Sequence, residues 1–379
     1  MGERAYAYSK ACAIIGKSFT GKRIRNLERA ERLSDFDRLI FPASFGNLPE
    51  KELLLDLENR IMGRTVNSII SILKCFSKPP EFIINLIRSY EYLDLMNAIS
   101  AFIENENSGA KKTPAYTNLG QFQTVRFDAW PDIKAMIEGT PYNFLLDNND
   151  KNANNDFKKE NFADKFSLQG VMDRHYYNSL WASLLKLPSH DRKATERILS
   201  DEISLKNCSL ALRLRGYYSM PPGKVKSYLI DISVDSQVKI SYRGKKDQKK
   251  KSGTLADDAL KCLEYPLDNL SAWSSWRWKE FLNSSPMSSN SNSANSNLST
   301  FSFGERDWRL DPKHFQNAAS RYLYHLARHF FHLNPFSLDT IFCFIKLKQF
   351  EEDLLTSGAE GLSIGMPVKD ILSMLGVEH

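Results

Sequence analysis

The sequence contains one group of histidines whose spacing is suitable for holding a metal ion. His325, His329 and His332 lie at i, i+4 and i+7 of a helical stretch, so their imidazole nitrogens share one face and resemble zinc ligands. The stretch lacks the glutamate of an HExxH motif, and no cysteine or carboxylate stands beside it. Functional zinc sites bring a full ligand set with orienting partners. We therefore predict no metal site and keep a zinc-dependent enzyme as the less favoured alternative.

A second stretch has the glycine and lysine spacing of a phosphate-binding loop. Gly16, Gly21 and Lys22 fit the pattern G-x-x-x-x-G-K, but the next residue is Arg23 and not the serine or threonine that binds magnesium. No apolar strand precedes it, because a helix is predicted over Ala5–Phe19. We predict the polar end of a helix here and no nucleotide binding.

The remaining candidates for chemistry are aromatic, acidic and basic clusters. Trp273, Trp276 and Trp278 either stack nucleic-acid bases or fill a core, and the core is favoured because no basic groove accompanies them. Glu351-Glu352-Asp353 is predicted to be solvated at a helix end. The run 243–251 carries six cations and one anion, against a net charge of +6 for the chain. The rest is therefore nearly neutral, and we predict no nucleic-acid partner, small-molecule substrate, cofactor or catalytic residue.

The bulk properties are those of a protein from a reducing compartment. Five cysteines are scattered without a CxxC pair, and no secretory signal is evident. No run of eighteen apolar residues is present, so no membrane span is predicted. Tyr6 stands where an N-myristoylation motif requires serine or threonine, so we predict no lipid anchor.

The elements that position these residues are three predicted hairpins of long helices, over Met62–Asn97, Met172–Gly216 and Arg321–Leu355. Apolar side chains recur at helical spacing in the second, where Pro188 ends one helix and Ser189 or Asp191 is predicted to cap the next. The second helices carry similar motifs, EYLDLMN from Glu91 and DEISLKN from Asp201. A short helix opened by aspartate precedes each hairpin, within Asp35–Pro42, Asp132–Gly139 and Asp258–Pro266.

Repetition of one unit predicts an all-α fold of three similar domains. We predict repeat 1 over 1–115, repeat 2 over 116–250, and repeat 3 over 251–379. Repeat 2 contains a polar loop at 147–161 and the basic run, and repeat 3 contains a serine- and asparagine-rich insertion at 283–300 that is predicted to be mobile. One short strand hairpin is possible within 224–242, where Val238, Ile240 and Tyr242 alternate.

The hairpins and their motifs resemble, in order and over most of the chain, the C subunit of bacterial and archaeal V/A-type rotary ATPases, called subunit d in the eukaryotic complex. Ser204 stands where that family tends to have aspartate, and Cys208 where it tends to have leucine. The likeness is carried by AYAYSKA at 5–11, DLMN at 94–97, GTPY at 139–142, MDRHYY at 172–177, SLKN at 204–207 with Leu212-Arg213, and the stretch from Pro335-Phe336-Ser337 through Lys348 and Glu351 to Gly361-Leu362.

The resemblance implies a funnel of three pseudo-symmetric helical domains without catalytic, cofactor or metal residues. It implies a non-catalytic rotor adaptor between the central-stalk subunits and the membrane rotor (proteolipid) ring, coupling ATP hydrolysis or synthesis to ion transport. Its location would be cytoplasmic and peripheral on the membrane through the ATPase complex. A helical-repeat scaffold of another complex stays open as an alternative, because stacked repeats also form extended binding surfaces.

Overall fold

A computed structural model describes residues 2–20, 23–43, 48–105, 115–146, 165–234, 253–282 and 310–375. Over these residues the chain is mostly helical, with two strands of only two residues each, which confirms the predicted all-α class. The α-helices are α1 (Gly2–Ile15), α2 (Ile24–Leu27), α3 (Leu33–Ile40), α4 (Glu50–Leu73), α5 (Glu81–Asn105), α6 (Ile133–Ile137), α7 (Lys165–Leu185), α8 (Lys193–Gly216), α9 (Pro222–Lys226), α10 (Asp257–Glu264), α11 (Pro312–Phe331), α12 (Leu338–Ser363) and α13 (Val368–Leu375).

Short elements complete the described chain. Single 3-10 turns lie at Gly120–Phe122, Phe127–Ala129, Asn143–Leu145, Ser189–Asp191, Leu270–Trp273 and Lys279–Leu282. Two strands, β1 (Ser233–Val234) and β2 (Gly253–Thr254), pair antiparallel, with Ser233 opposite Thr254 and Val234 opposite Gly253. The alternating residues on which a strand hairpin was predicted, Val238, Ile240 and Tyr242, lie outside the described residues. So do the polar loop, the basic run and the serine- and asparagine-rich insertion.

Three pairs of consecutive long helices correspond to the predicted hairpins. They are α4 with α5, α7 with α8, and α11 with α12, and each pair is interrupted at a proline-containing break. The short helices predicted ahead of the pairs are α3, α6 and α10. Of these, α6 is capped by an aspartate, because the Asp132 carboxylate accepts from the backbone N–H of Ala135 at 3.0 Å. The superposition of the three repeats, their boundaries and the funnel shape stay predictions.

The start of α8 is capped in a way that differs from the prediction. Asp339 of α12 accepts hydrogen bonds from the backbone N–H groups of Ala194 and Thr195, at 3.3 and 2.9 Å. Asp191, predicted with Ser189 to cap α8, accepts instead from the N–H of Leu338 at 3.2 Å. Asp339 of α12 thus caps the start of α8, and Asp191, just before α8, caps the start of α12. Local sequence rules do not reveal these exchanged caps, because each carboxylate lies far from its partner in the chain.

Residues Ile69–Pro188 form the smaller of two compact units. Within it, α5 packs along α7, and the irregular segment 115–146 covers both helices. The core of this unit consists of apolar side chains from all three: Tyr92, Leu95, Ala98, Ile99, Val125, Phe127, Ile133, Met136, Ile137, Tyr142, Leu145, Leu146, Leu168 and Met172. In the apolar stripe predicted on α7, Met172, Leu180, Trp181 and Leu184 are buried, and Tyr176 is half-buried.

The larger unit comprises Met1–Ser68 and Ser189–His379. Its central helix is α12, which contacts α11, α1, α13, α8 and α3. One apolar core joins the first helices of the chain to the end of α12 and to α13: Phe19, Ile24, Leu27, Ala30, Leu33, Phe36, Ile40, Leu53, Leu57, Ile61, Leu354, Leu355, Ala359, Leu362, Val368 and Leu372. At Gly358 an added Cβ would lie 2.8 Å from the Phe36 ring, so only glycine permits this approach.

Candidate functional site

The histidines that suggested a metal site lie on the surface of α11 and at its end. His325 and His329 are exposed, and the Nδ1 of His332 lies 3.2 Å from the hydroxyl of Tyr8. Within the described residues, no group of three or more His, Cys, Asp or Glu side chains is arranged to hold a metal ion. The zinc alternative therefore finds no ligand set in this part of the chain.

The described part of the stretch that resembles a phosphate-binding loop is packed into the larger unit, to which it belongs. α1 ends at Ile15, and Ser18, Phe19 and Thr20 are buried, whereas Gly21 and Lys22 lie outside the described residues. The N–H of Phe19 donates to Glu351 at 2.9 Å, and the carbonyl of Thr20 accepts from the hydroxyl of Tyr324 at 2.9 Å. A phosphate cradle needs free backbone N–H groups, and that of Phe19 is already used. The absence of nucleotide binding stays a prediction.

The tryptophan cluster belongs to the core. Trp273, Trp276 and Trp278 are 0%, 1% and 3% exposed, so their rings are not available for stacking on bases. The indole N–H groups of Trp273 and Trp276 donate to the carbonyls of Pro266 and Asp258, at 2.7 and 3.1 Å. The favoured core interpretation is therefore the observed one.

The prediction that Glu351-Glu352-Asp353 is solvated at a helix end is wrong for Glu351. The triplet lies in the middle of α12, and Glu351 is 1% exposed, whereas Asp353 is exposed. The Glu351 carboxylate pairs with the Lys348 ammonium, which is 2% exposed. Burial lowers the pKa of Lys348, and the neighbouring carboxylate opposes this by favouring the charged form. Sequence reasoning missed this pair because α12 continues beyond the expected end.

Glu91, the first residue of the EYLDLMN motif, is the centre of a buried polar cluster in the smaller unit. Its carboxylate accepts from the backbone N–H groups of Thr124 and Val125, the latter at 2.7 Å, and from the Thr124 hydroxyl at 2.8 Å. Burial and the nearby Glu91 carboxylate raise the pKa of Tyr142, which belongs to the GTPY motif. Through these hydrogen bonds to Thr124 and Val125, Glu91 fixes the irregular segment onto α5.

Three further motif residues extend this cluster: Tyr92, Asp94 and Asp173. Asp94, one helical turn after Glu91, accepts from the N–H of Thr117 at 2.7 Å. Burial raises the pKa of Asp94, and the hydrogen bonds from Thr117 oppose that rise. The hydroxyl of Tyr92 donates to Asp173 of the MDRHYY motif at 2.7 Å, which joins α5 to α7. Residues far apart in sequence therefore meet in one buried network.

The corresponding motif on α8 holds a different set of groups in the larger unit. Asn207 is fully buried, and its side-chain oxygen accepts from the N–H of Ile230 at 2.8 Å. Its side-chain nitrogen donates to the carbonyls of Ile230 and Leu255, at 2.8 and 3.2 Å. Asn97, the matching residue on α5, is exposed. The two copies of the motif thus bind their covering segments through different positions.

The other polar residues of the α8 motif are also engaged. Asp201 pairs with the Arg277 guanidinium and accepts from the Tyr322 hydroxyl at 2.8 Å. Ser204 donates to Asp258 at 3.2 Å and accepts from the indole N–H of Trp278 at 3.3 Å. The serine at the position where the family tends to have aspartate therefore remains part of a polar network.

We call Glu91, Asp94, Asn207 and Glu351 the buried anchors, because each binds the backbone of a non-helical segment from the interior face of a long helix. A buried acceptor with satisfied donors stabilises one arrangement of those donors and penalises others. The anchors position and stiffen the fold, since the three carboxylates accept hydrogen bonds from backbone N–H groups and the Asn207 amide both accepts from and donates to the backbone. On the apolar helix α5, polar residues spaced by three were a sequence signal that could have identified Glu91 and Asp94.

Comparison with known proteins identifies the family. The family described as the ATP synthase (C/AC39) subunit matches residues 9–236, which is more than half of the chain. The chain belongs to this family. The C/AC39 subunit is a structural component of V/A-type ATPases and is not itself catalytic, so the chain is a subunit of such a complex. The matched residues include the Glu91 cluster and Asn207.

One relative matches over nearly the full length. A protein of Treponema pallidum (strain Nichols) is 25% identical over 361 residues, which cover 95% of this chain and 92% of the relative. It carries the name "Uncharacterized protein" and so adds no function to the family match. Among the described residues, none of the helices combines the length and the apolar character needed to cross a bilayer.

Proposed function

We propose that this C/AC39 subunit is a rotor adaptor that links the central-stalk subunits of a V/A-type ATPase to its membrane rotor ring. In this role it couples ATP hydrolysis or synthesis to ion transport without chemistry of its own. The proposed partners are the stalk subunits and the proteolipid ring, and the proposed location is the cytoplasmic face of the membrane, through the complex.

The observation that carries the proposal is the set of buried anchors. An adaptor that passes torque must resist deformation, and close-packed helices whose covering segments are fixed by buried hydrogen bonds meet that need. The Glu91 cluster fixes the segment 115–146 at Thr117, Thr124 and Val125. These contacts support a mechanical role, and the family match supports the complex in which it is exercised.

The test is purification of the tagged full-length chain from its native membranes, followed by cross-linking and identification of the linked peptides. We expect central-stalk and proteolipid subunits to co-purify, with cross-links from this chain to both. A matched sample carrying Glu81→Ala, a change in an exposed ion pair with Lys186, should give the same partners.

Two outcomes would contradict the adaptor role in different ways. Recovery of a complex without ATPase subunits would favour the scaffold alternative. Recovery of the ATPase with cross-links only to stationary subunits would keep the chain in the complex and remove it from the rotor.

A further inference from the structure

The turn between α11 and α12 exposes apolar side chains at one end of the larger unit. Leu333 is 55% exposed and Phe336 is 47% exposed, although both are large and apolar. Between them stand only Asn334 and Pro335, so the turn presents no charge of its own. Exposed apolar side chains gathered in one short turn are the kind of surface that contacts a partner or a membrane.

The backbone holds this turn in a fixed and costly conformation. Phe336 has φ +72°, which is a strained value for a bulky residue. The carbonyl of Asn334 accepts from the N–H and hydroxyl of Ser337, at 3.2 and 2.7 Å, and from the hydroxyl of Thr340 at 2.8 Å. The Phe336 and Tyr8 rings pack edge to face, with 5.6 Å between ring centroids. Strain that keeps an apolar ring half exposed points to a use for that ring.

Cations surround the turn on the same end of the unit. The start of α8 lies against the start of α12 through the exchanged caps of Asp191 and Asp339. This places Lys193 and Arg197 beside the turn, and the Arg197 guanidinium lies 5.9 Å from the Phe330 ring centroid. Both side chains are exposed, as is that of Arg328 in the last turn of α11.

The carboxylates of this end mostly face inward. Asp191 is fully buried, and its two carboxylate oxygens accept hydrogen bonds from the two terminal guanidinium nitrogens of Arg4, at 2.8 and 2.9 Å. Asp339 is buried beneath the α8 amides, and Glu196 lies 3.6 Å from Arg192. Glu3 on α1 is an exposed acid at this end. Among the described residues named here, three exposed cations therefore stand against one exposed acid.

We propose that Leu333 and Phe336, with Lys193, Arg197 and Arg328, form a surface that binds anionic phospholipid headgroups. We call it the α11–α12 lipid surface. A turn with two exposed apolar side chains suits insertion at the headgroup boundary, while the flanking cations bind lipid phosphates. An acidic protein would be recognised by the cations but would leave the protruding leucine and phenylalanine without a matching apolar site. The proposal does not depend on the rotor-adaptor role.

The test is flotation of the full-length protein with phosphatidylcholine vesicles that contain or lack phosphatidylglycerol. Because the run 243–251 is also basic, the measurement uses a background in which its cations are changed to glutamine. We expect binding only to the anionic vesicles. Each cation near such a surface contributes roughly a fivefold factor, so Lys193→Glu with Arg197→Glu should weaken binding by at least about tenfold.

Matched controls distinguish this surface from general stickiness. Leu333→Ser with Phe336→Ser should also abolish flotation, whereas Ile364→Ser, at a residue 74% exposed beyond the far end of α12, should not. Lys17→Glu, beyond the end of α1, should likewise leave binding nearly unchanged. Circular dichroism checks that each variant keeps its helices. No flotation of the parent protein, equal loss in the controls, or binding to acidic proteins in place of vesicles would overturn the proposal.

Discussion

Glu91 on α5 and Asn207 on α8 occupy related motifs but solve different hydrogen-bonding problems. The Glu91 carboxylate faces two backbone N–H groups and a hydroxyl, all of them donors. The Asn207 amide faces one N–H donor and two carbonyl acceptors. A carboxylate matches the first environment and an amide matches the second. The contrast teaches that a repeated motif can keep its anchoring role while its chemistry follows the segment that covers it.

The largest expected effect comes from removing the carboxylate in the smaller unit. Glu91→Ala leaves the buried N–H of Val125 and the two partly buried donors of Thr124 without their acceptor. At about 1–3 kcal/mol for each buried donor, and less for the partly exposed ones, we expect a loss of about 3–6 kcal/mol in stability. Hydrogen exchange of peptides from 115–146 should rise sharply. Glu81→Ala, in an exposed pair on the same helix, should cost less than about 1 kcal/mol. Similar protection in both variants would break the assignment of Glu91 as an anchor.

Truncation of a buried apolar side chain in the same unit gives a loss of stability with which the effect of Glu91→Ala can be compared. Trp181 is 6% exposed on the inner face of α7, and Trp181→Ala should open a cavity that costs about 3–5 kcal/mol. A domain typically has only about 5–15 kcal/mol of stability, so this loss is severe. Urea denaturation followed by far-ultraviolet circular dichroism measures it. A decrease of less than about 1 kcal/mol in the free energy of unfolding would contradict this prediction, because it would mean that neighbouring side chains fill the space left by the indole ring.

Exchanging the chemistry at Asn207 sharpens the comparison. Asn207→Asp removes the donor that two carbonyls need and places a carboxylate against them, so we expect a loss of about 2–4 kcal/mol at pH 7. Burial and the carbonyls should raise the pKa of the new carboxyl above its unfolded value. The protonated form can still donate, so part of the stability should return at acidic pH and be lost as pH rises through the folded pKa. Equal destabilisation at pH 4.5 and pH 7 would contradict the inference that residue 207 faces both a hydrogen-bond donor and two acceptors.

The smallest effect is expected at Asp94, where burial raises the pKa of the carboxyl. A raised folded pKa means that the contribution of Asp94 to stability is greatest below its unfolded pKa and declines as pH rises. Asp94→Asn keeps an acceptor for the N–H of Thr117 and removes the titration. Relative to the wild type, the variant should gain stability between pH 4 and pH 7, by less than about 1 kcal/mol. Chemical denaturation across that range measures the difference, and a widening deficit towards neutral pH would contradict it.

Much of the fold was accessible from the sequence because apolar residues at helical spacing, repeated motifs and proline breaks leave local signals. The three long helix pairs follow from repeated motifs and proline breaks, and the burial of Trp181 follows from the helical spacing of apolar residues on α7. The exchanged caps of Asp191 and Asp339 did not, because each carboxylate binds amides far away in the chain. Glu351 was misplaced for the related reason that burial depends on which face a helix turns inward.

The anchors were only partly predictable. The similarity of EYLDLMN and DEISLKN marks both segments, but it does not reveal that Glu91 binds in one and Asn207 in the other. Their partners lie in irregular segments whose backbone groups carry no sequence signature. The functional conclusion therefore rests on the family match and on contacts that only the folded chain displays.

The measurement that tests the central claim most directly is ATP-driven ion uptake, recorded together with ATP hydrolysis, in vesicles of native membranes. The account predicts that vesicles lacking this chain, or carrying Glu91→Ala, keep hydrolysis in the catalytic head but lose uptake. Vesicles carrying Glu81→Ala should retain both, and adding back the purified wild-type chain should restore uptake to the depleted vesicles. Normal coupling of hydrolysis to uptake in membranes without this chain would contradict the adaptor role.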